Sequence, residues 1–183
     1  MNDAPVDAIT FRPLGDRDLP RMHRWLNEPG VVEWWDGDVS WAGVLAGYST
    51  EARTLRNDST EHYIALSGNR PIGWIQCWAV AEEPEETAQW RALGVDPNAV
   101  GVDYLVGDPK RRGRGVGATM ISAFVRNVVF ADPERQQAAA SPFDANVASW
   151  KALATAGFRS RGVFDDPDGP CRLMVADRSE LSD

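Results

Sequence analysis

Along "AITFRPL", Ile9, Phe11 and Pro13 alternate with Thr10 and Arg12, the two-residue period of a half-buried strand, so the chain is predicted to open on β structure. The period then changes. In "GDRDLPRMHRWLNEPG", Leu19, Met22, Trp25 and Leu26 recur at helical spacing, with Asp16 or Asp18 as a cap and Pro29-Gly30 as a stop. A second, looser helical stretch is expected from about Trp41 to Arg56, interrupted by Gly43 and Gly47. "EHYIALSGNRPIGWIQCWAV" reads as a hairpin, with strands from Tyr63 to Leu66 and from Ile72 to Val80 across a tight Gly-Asn turn. The polar, proline-punctuated "AEEPEETAQWRALGVDPNA" predicts a surface loop with at most a short helix.

"VGVDYLVG" follows as a short strand. Met120, Ile121, Phe124, Val125 and Val128 then make an apolar stripe, predicting a helix from Val116 to Phe130 that ends at Asp132-Pro133. "RQQAAAS" has poor strand propensity, but its place before a second helical segment, "DANVASWKALATAGF", predicts a strand there. "FRSRGVFDDPDGPCRLMVA" is expected to be a second hairpin turning at "DDPDGP". No repeat or low-complexity linker interrupts this order, so residues 1–183 are expected to form a single domain of mixed α/β class.

Composition narrows the function classes. Of the residues, 43% are hydrophobic and 25% charged, as in globular proteins, and no apolar run approaches the ~20 residues needed to span a bilayer. "MNDAPVDAITFRPL" has no basic stretch followed by an apolar one, so no secretory signal is expected and the cytoplasm is the predicted compartment. Cys77 and Cys171 lack metal-ligand spacing and charged or His-containing neighbourhoods, and read as buried or incidental thiols rather than nucleophiles; no metal is expected. A net charge of -8 disfavours a nucleic-acid scaffold and suits a small cationic partner.

Against that acidity stands "DPKRRGRGVGATM", which gathers Lys110, Arg111, Arg112 and Arg114 around Gly113, Gly115 and Gly117. A hinge, an RNA-binding Arg-Gly patch and a phosphate cradle are the competing readings. Arg-Gly tails of RNA-binding proteins lie outside folded cores, whereas this stretch is wedged between a strand and a helix. It lacks the Gly-Lys-Ser/Thr of a P-loop and the surroundings of a dinucleotide fingerprint. At a helix start, unpaired N–H groups and a partial positive charge favour phosphate, and glycines let the ligand approach the backbone.

Arg112-x-x-Gly115-x-Gly117 at a strand-to-helix junction resembles the acetyl-CoA pyrophosphate loop of the GNAT N-acetyltransferases, whose order β-α-α-β-β-β-α-β-α-β-β matches the predicted elements. Five blocks are similar to those of the aminoglycoside 6'-N-acetyltransferases, in the same order from residue 11 to 175: "FRPLGDRDLPRMHRWLNEPGVVEWWDG", "HYIALSGNRPIGWIQCW", "DPNAVGVDYLVGDPKRRGRGVG", "SPFDANVASWKALATAGF" and "PDGPCRLMV". The resemblance implies acetyl transfer from acetyl-CoA to an amine of an aminoglycoside antibiotic, the 6'-amine, by a monomer or homodimer that binds neither nucleic acid nor membrane. A lysine or hydroxylysine acyltransferase of the siderophore type and a non-enzymatic CoA-binding regulatory module are the alternatives.

The resemblance also implies roles. Arg112, Gly113, Arg114, Gly115, Val116 and Gly117 would bind the CoA phosphates, Asn146 the pantetheine arm, and the backbone of Leu105 and Val106 the acetyl-CoA arm, with an N–H on the thioester oxygen. Asp103 would be the catalytic group beside the acceptor amine, a cation binder and water-assisted base; the competing reading pairs it with an arginine across the sheet. Glu33, Trp34, Trp35, Asp36, Trp90 and Asp168 would shape the acceptor pocket, with Asp165 and Asp166 nearby. For the tryptophans the rival role is core packing, and for the aspartates a solvated charge run. Two positions depart from the family: Leu153 stands where a tyrosine often protonates the thiolate, leaving water, Tyr104 or Ser149 for that step, and Ser141 replaces an aspartate, removing one contact to a polycation.

Overall fold

A computed structural model of the chain describes residues 8–85 and 87–181; the segment 1–7, on which half of the leader reading rests, lies outside them. Among the described residues the strands are β1 (Ile9–Pro13), β2 (Glu61–Ser67), β3 (Arg70–Ala79), β4 (Val100–Val106), β5 (Gln137–Ala140), β6 (Arg159–Asp166) and β7 (Gly169–Asp177). They form a mixed sheet in the order β1-β2-β3-β4-β5-β7-β6. β1 is antiparallel to β2, β7 is antiparallel to both β5 and β6, and β4 and β5 run parallel. That parallel ladder has two rungs, Val100↔Ala138 and Gly101↔Ala139, so β4 continues for five residues past its last rung.

The helices are α1 (Leu19–Leu26), α2 (Pro29–Val32), α3 (Trp41–Tyr48), α4 (Thr50–Leu55), α5 (Ala88–Ala92), α6 (Val116–Asn127), α7 (Val147–Thr155) and α8 (Arg178–Leu181). No described helix is long and apolar enough to cross a membrane. Among the described residues the chain divides into two compact units, one of residues 8–75 and 104–112 and the other of 76–85, 87–103 and 113–181.

In the first unit, Leu19, Met22, Trp25 and Leu26 turn the stripe of α1 onto a core that also holds Val44, Ile64 and Trp74. Asp18 is 1% exposed at the entrance to α1 and serves as more than a cap. Its carboxylate takes both Arg12 guanidinium nitrogens at 2.6 and 2.7 Å, the Gly15 N–H at 3.2 Å and Arg21 at 3.1 Å. Burial would raise its pKa, but the Arg12 hydrogen bonds, the Gly15 N–H and the two guanidinium charges outweigh it and hold the carboxyl below its ordinary value.

Two expectations change here. Pro29 does not simply stop α1; it opens α2, where its missing N–H costs nothing. The helical stretch from Trp41 to Arg56 breaks at Ser49, not at Gly43 or Gly47, because Ser49 is extended (φ -66°, ψ 148°) and its hydroxyl accepts the Ala52 N–H to start α4.

In the second unit, Trp90, Val95, Ala99, Leu173 and Val175 form a core. The supposed surface loop therefore contributes a buried indole: Trp90 is 6% exposed and its ring lies 5.6 Å from that of Trp78. β5 forms despite its composition because all four residues are buried between β4 and β7, where small side chains fit. The α6 helix stops at Asn127, and a short 3-10 turn, Val129–Ala131, carries the chain to Asp132.

Candidate active site

β4 organises the chemistry. The Gly107 N–H bonds the Ile72 carbonyl at 2.9 Å, and the Ala99 carbonyl accepts the Val80 N–H at 3.0 Å, so the odd-numbered residues at both ends of β4 face β3. Within a strand residue the N–H and C=O point the same way, and direction alternates along the chain. Val106 therefore turns its N–H and C=O away from β3, while Leu105 turns its own toward it. Of the two backbone positions expected to meet the thioester, Val106 is the one with an N–H aimed off the β3 ladder.

Asp103 is exposed, and among the described residues its carboxylate pairs with no arginine. One carboxylate oxygen, Oδ2, accepts the Gln76 amide at 2.8 Å and the Trp78 indole N–H at 3.0 Å, and neither bond uses Oδ1. Gln76 and Trp78 lie two apart on β3 and so share a face. Room for the indole comes from Gly101: a Cβ there would stand 2.2 Å from the Trp78 ring. Sequence reasoning missed both partners. The available signal was Gln76, a polar residue in the otherwise apolar run "IGWIQCWAV".

After β4 the chain makes a short turn, Pro109–Arg111, capped by the Asp108 side chain on the Lys110 N–H at 3.0 Å. Gly113 and Gly115 then take left-handed conformations (φ 71° and 76°), which ordinary side chains resist. Gly115 is the N-cap of α6 and offers no side-chain acceptor, so the N–H groups of the first turn, Val116, Gly117 and Ala118, are left for a ligand; the Thr119 N–H closes on the Gly115 carbonyl at 3.0 Å. This donor set fits a phosphate group. Arg112 behaves differently: its Nε donates to the Val106 carbonyl at 2.9 Å and Nη2 reaches the Gly107 carbonyl at 3.5 Å.

The remaining candidates fall in separate places. In the first unit Glu33 and Asp36 are exposed and Trp34 is half-buried after α2, while Trp35 makes a T-shaped contact with Trp74, ring centres 5.6 Å apart, and is packed against the core. In the second unit Asp165, Asp166 and Asp168 line the β6–β7 turn; the Asp168 N–H bonds Asp166 and the Asp165 carbonyl holds the Gln89 amide at 2.7 Å. Asn146 caps α7, its Oδ1 accepting the Ser149 N–H at 3.1 Å. Leu153 is fully buried on α7. The acid closest after Ser141, Asp144, is paired with Arg172 at 2.7 Å. Cys77 and Cys171 are both buried, and burial, with the charges of Asp166 and Asp168 behind it, pushes the Cys171 thiol up to about 11.

Comparison with known proteins places the chain in a family. The acetyltransferase (GNAT) domain family matches residues 15–166. An aminoglycoside N(6')-acetyltransferase type 1 from Klebsiella pneumoniae is 30% identical over 174 residues, which cover 94% of this chain and 84% of that protein. An N(6)-hydroxylysine O-acetyltransferase from Escherichia coli is 26% identical over 93% of this chain, which spans 52% of that protein. The solved structure of AAC(6')-Ib in complex with paromomycin and acetyl-CoA matches with a TM-score of 0.84 at 30% identity, covering 96% of each chain. With the glycine turn at the start of α6, the strand that runs past its parallel partner and a domain match across most of the length, the chain belongs to the GNAT family of acetyltransferases.

Proposed function

We propose that residues 1–183 act as one acetyltransferase domain that moves the acetyl group of acetyl-CoA to an amine of an aminoglycoside, the 6'-amine, and thereby confers resistance. The observation that carries this reading is the Asp103 carboxylate, exposed and held by Gln76 and Trp78 with Oδ1 outside both bonds, three residues before the Val106 N–H on the same strand. Oδ1 takes the acceptor ammonium, and a water beside it relays one proton from the nitrogen to bulk solvent, since a carboxylate is too weak a base to keep a proton taken from an alkylammonium. The amine nitrogen then attacks the acetyl carbon, whose oxygen gathers charge opposite the Val106 N–H. The C–S bond breaks, the nitrogen loses its second proton, and the departing thiolate takes one from water, since Leu153 has none to give.

The first-turn N–H groups of α6, with Gly113 and Gly115, receive the CoA phosphates, and the Asn146 amide the pantetheine arm. In the first unit Glu33, Trp34, Trp35 and Asp36 supply acceptor contacts, and in the second Asp168 does so, while Trp90 packs in that unit's core against Trp78. The relatives that act on aminoglycosides support this choice of acceptor. The enzyme works in the cytoplasm, where acetyl-CoA is available, as a monomer or homodimer. A purified sample given acetyl-CoA and a panel of aminoglycosides should release free thiol, with mass spectrometry placing the acetyl group on the 6' nitrogen. No thiol above background with any of them refutes the acceptor. The hydroxylysine acetyltransferase likeness favours a second acceptor, so lysine and hydroxylysine belong in the same panel.

A further inference from the structure

The sequence presents Arg112 as a cation for the CoA phosphates, but its guanidinium is engaged elsewhere. Nε donates to the Val106 carbonyl at 2.9 Å and Nη2 to that of Gly107 at 3.5 Å. Its other edge lies against α2: a Cβ at Gly30 would stand 3.0 Å from Arg112 Nη1. Gly107 itself is fixed on two sides, by its N–H on the Ile72 carbonyl and by the Trp25 ring, which would lie 2.1 Å from a Cβ at that position. One planar group thus joins the end of β4 to the turn that leads directly into Glu33–Asp36.

We infer that Arg112 is a positioning residue: it holds the Val106 carbonyl and, through Gly30, the start of the acceptor segment, so that thioester donor and acceptor loop are set by the same side chain. This rests on the acetyltransferase reading above. The physical reason lies in the strand. The Val106 C=O and N–H point the same way, so an unheld carbonyl oxygen would stand beside the N–H that receives the developing oxyanion, repelling it and leaving the peptide free to rotate. A guanidinium on that oxygen removes its lone pair from the reaction and locks the plane. Lysine cannot replace it, because an ammonium is a point charge without the flat fork that spans two carbonyls and a glycine.

The test uses the full chain with Arg112→Gln, Arg112→Lys and Gly30→Ala, and measures CoA affinity by calorimetry, kcat and KM for acetyl-CoA and acceptor, and hydrogen exchange of the peptides covering 28–36 and 104–112. Misplacing a reacting group without touching its binding energy is expected to lower kcat about tenfold or more. Arg112→Gln should do so while CoA affinity stays within about twofold, the range in which no charged contact has been lost. Arg112→Lys should fail to rescue turnover. Gly30→Ala, which touches neither substrate, should lower kcat or raise the acceptor KM, and exchange should speed up in both peptides.

A CoA affinity that falls with Arg112→Gln and returns with Arg112→Lys, with kcat unchanged, overturns the inference in favour of a phosphate contact. Unaltered kinetics in Gly30→Ala also overturn it. Should wild type turn over no acceptor, the function proposed above fails, but the exchange arm still decides the clamp: protection at 28–36 unchanged in Arg112→Gln refutes it. If Arg112→Gln does not fold, the kinetics and exchange of Gly30→Ala decide between the two roles.

Discussion

The indole N–H of Trp78 and the carboxylate of Asp103 meet at 3.0 Å across β3 and β4, over a glycine that leaves the ring its space. The Gln76 amide joins on the same oxygen at 2.8 Å, so the carboxyl group is held in one orientation. Asp103→Asn keeps the shape and loses the charge; turnover should fall by about 100-fold or more while CoA still binds, measured by thiol release and calorimetry.

Trp78→Phe removes the indole donor and keeps most of the ring. A hydrogen bond to a charged group is worth about 2 kcal/mol, so kcat/KM for the acceptor should fall about thirtyfold, with the KM for acetyl-CoA unmoved. Equal loss on both substrates would remove Trp78 from the acceptor half of the reaction.

Gly101→Ala places a methyl where the Trp78 ring lies 2.2 Å away. Backbone and ring must separate, at a cost of about 2 kcal/mol in unfolding free energy, and activity should drop with stability because the same ring orients Asp103. Denaturant unfolding and acceptor kinetics check the two halves.

His62 is 6% exposed between Tyr48 and Trp74, and among the described residues neither ring nitrogen has a hydrogen-bond partner. Burial first, then the positive charge of Arg53, lowers its pKa from 6.5 to about 4, with Asp58 at 3.9 Å pulling the other way. The folded state therefore holds the proton less readily than the unfolded chain. Its contribution is whole above pH 6.5 and falls as pH drops toward 4, a loss of about 3 kcal/mol if complete. His62→Phe should flatten unfolding free energy across that window; an unchanged pH slope would refute the assignment.

Arg12→Ala should destabilise the first unit by about 2 kcal/mol, since it strips two hydrogen bonds from the buried Asp18. Asp18→Asn should do likewise and also remove the acid sensitivity that a depressed carboxyl brings, which is lost as pH falls below the ordinary carboxylate range. Chemical denaturation at pH 7 and pH 3 separates these effects.

Much of the fold is legible in the sequence because it depends on local period and on short motifs. The stripe of α1, the Gly-Asn and Pro-Asp turns, and the glycines before α6 each signal themselves within a few residues. What is not legible depends on pairing. Nothing near residue 103 says that Gln76 and Trp78 stand opposite it, since that follows from the register of β3 against β4. Trp90 is hidden because its neighbours are polar, and its burial comes from Val95, Ala99 and Leu173 closing over it. Arg112 advertises its charge, whereas its direction is set by two carbonyls. β5 is betrayed by position alone, against its composition.

The two indoles laid against β4 have a spectroscopic consequence. Trp78 bonds the acid assigned to the acceptor, and Trp25 rests on Gly107 beside the Val106 peptide assigned to the thioester. With eight tryptophans in the chain, bulk fluorescence would blur them, but 5-fluorotryptophan labelling gives each its own fluorine resonance. An acceptor should move the Trp78 line and acetyl-CoA the Trp25 line, so that the filling of each half of the reaction centre can be followed without turnover.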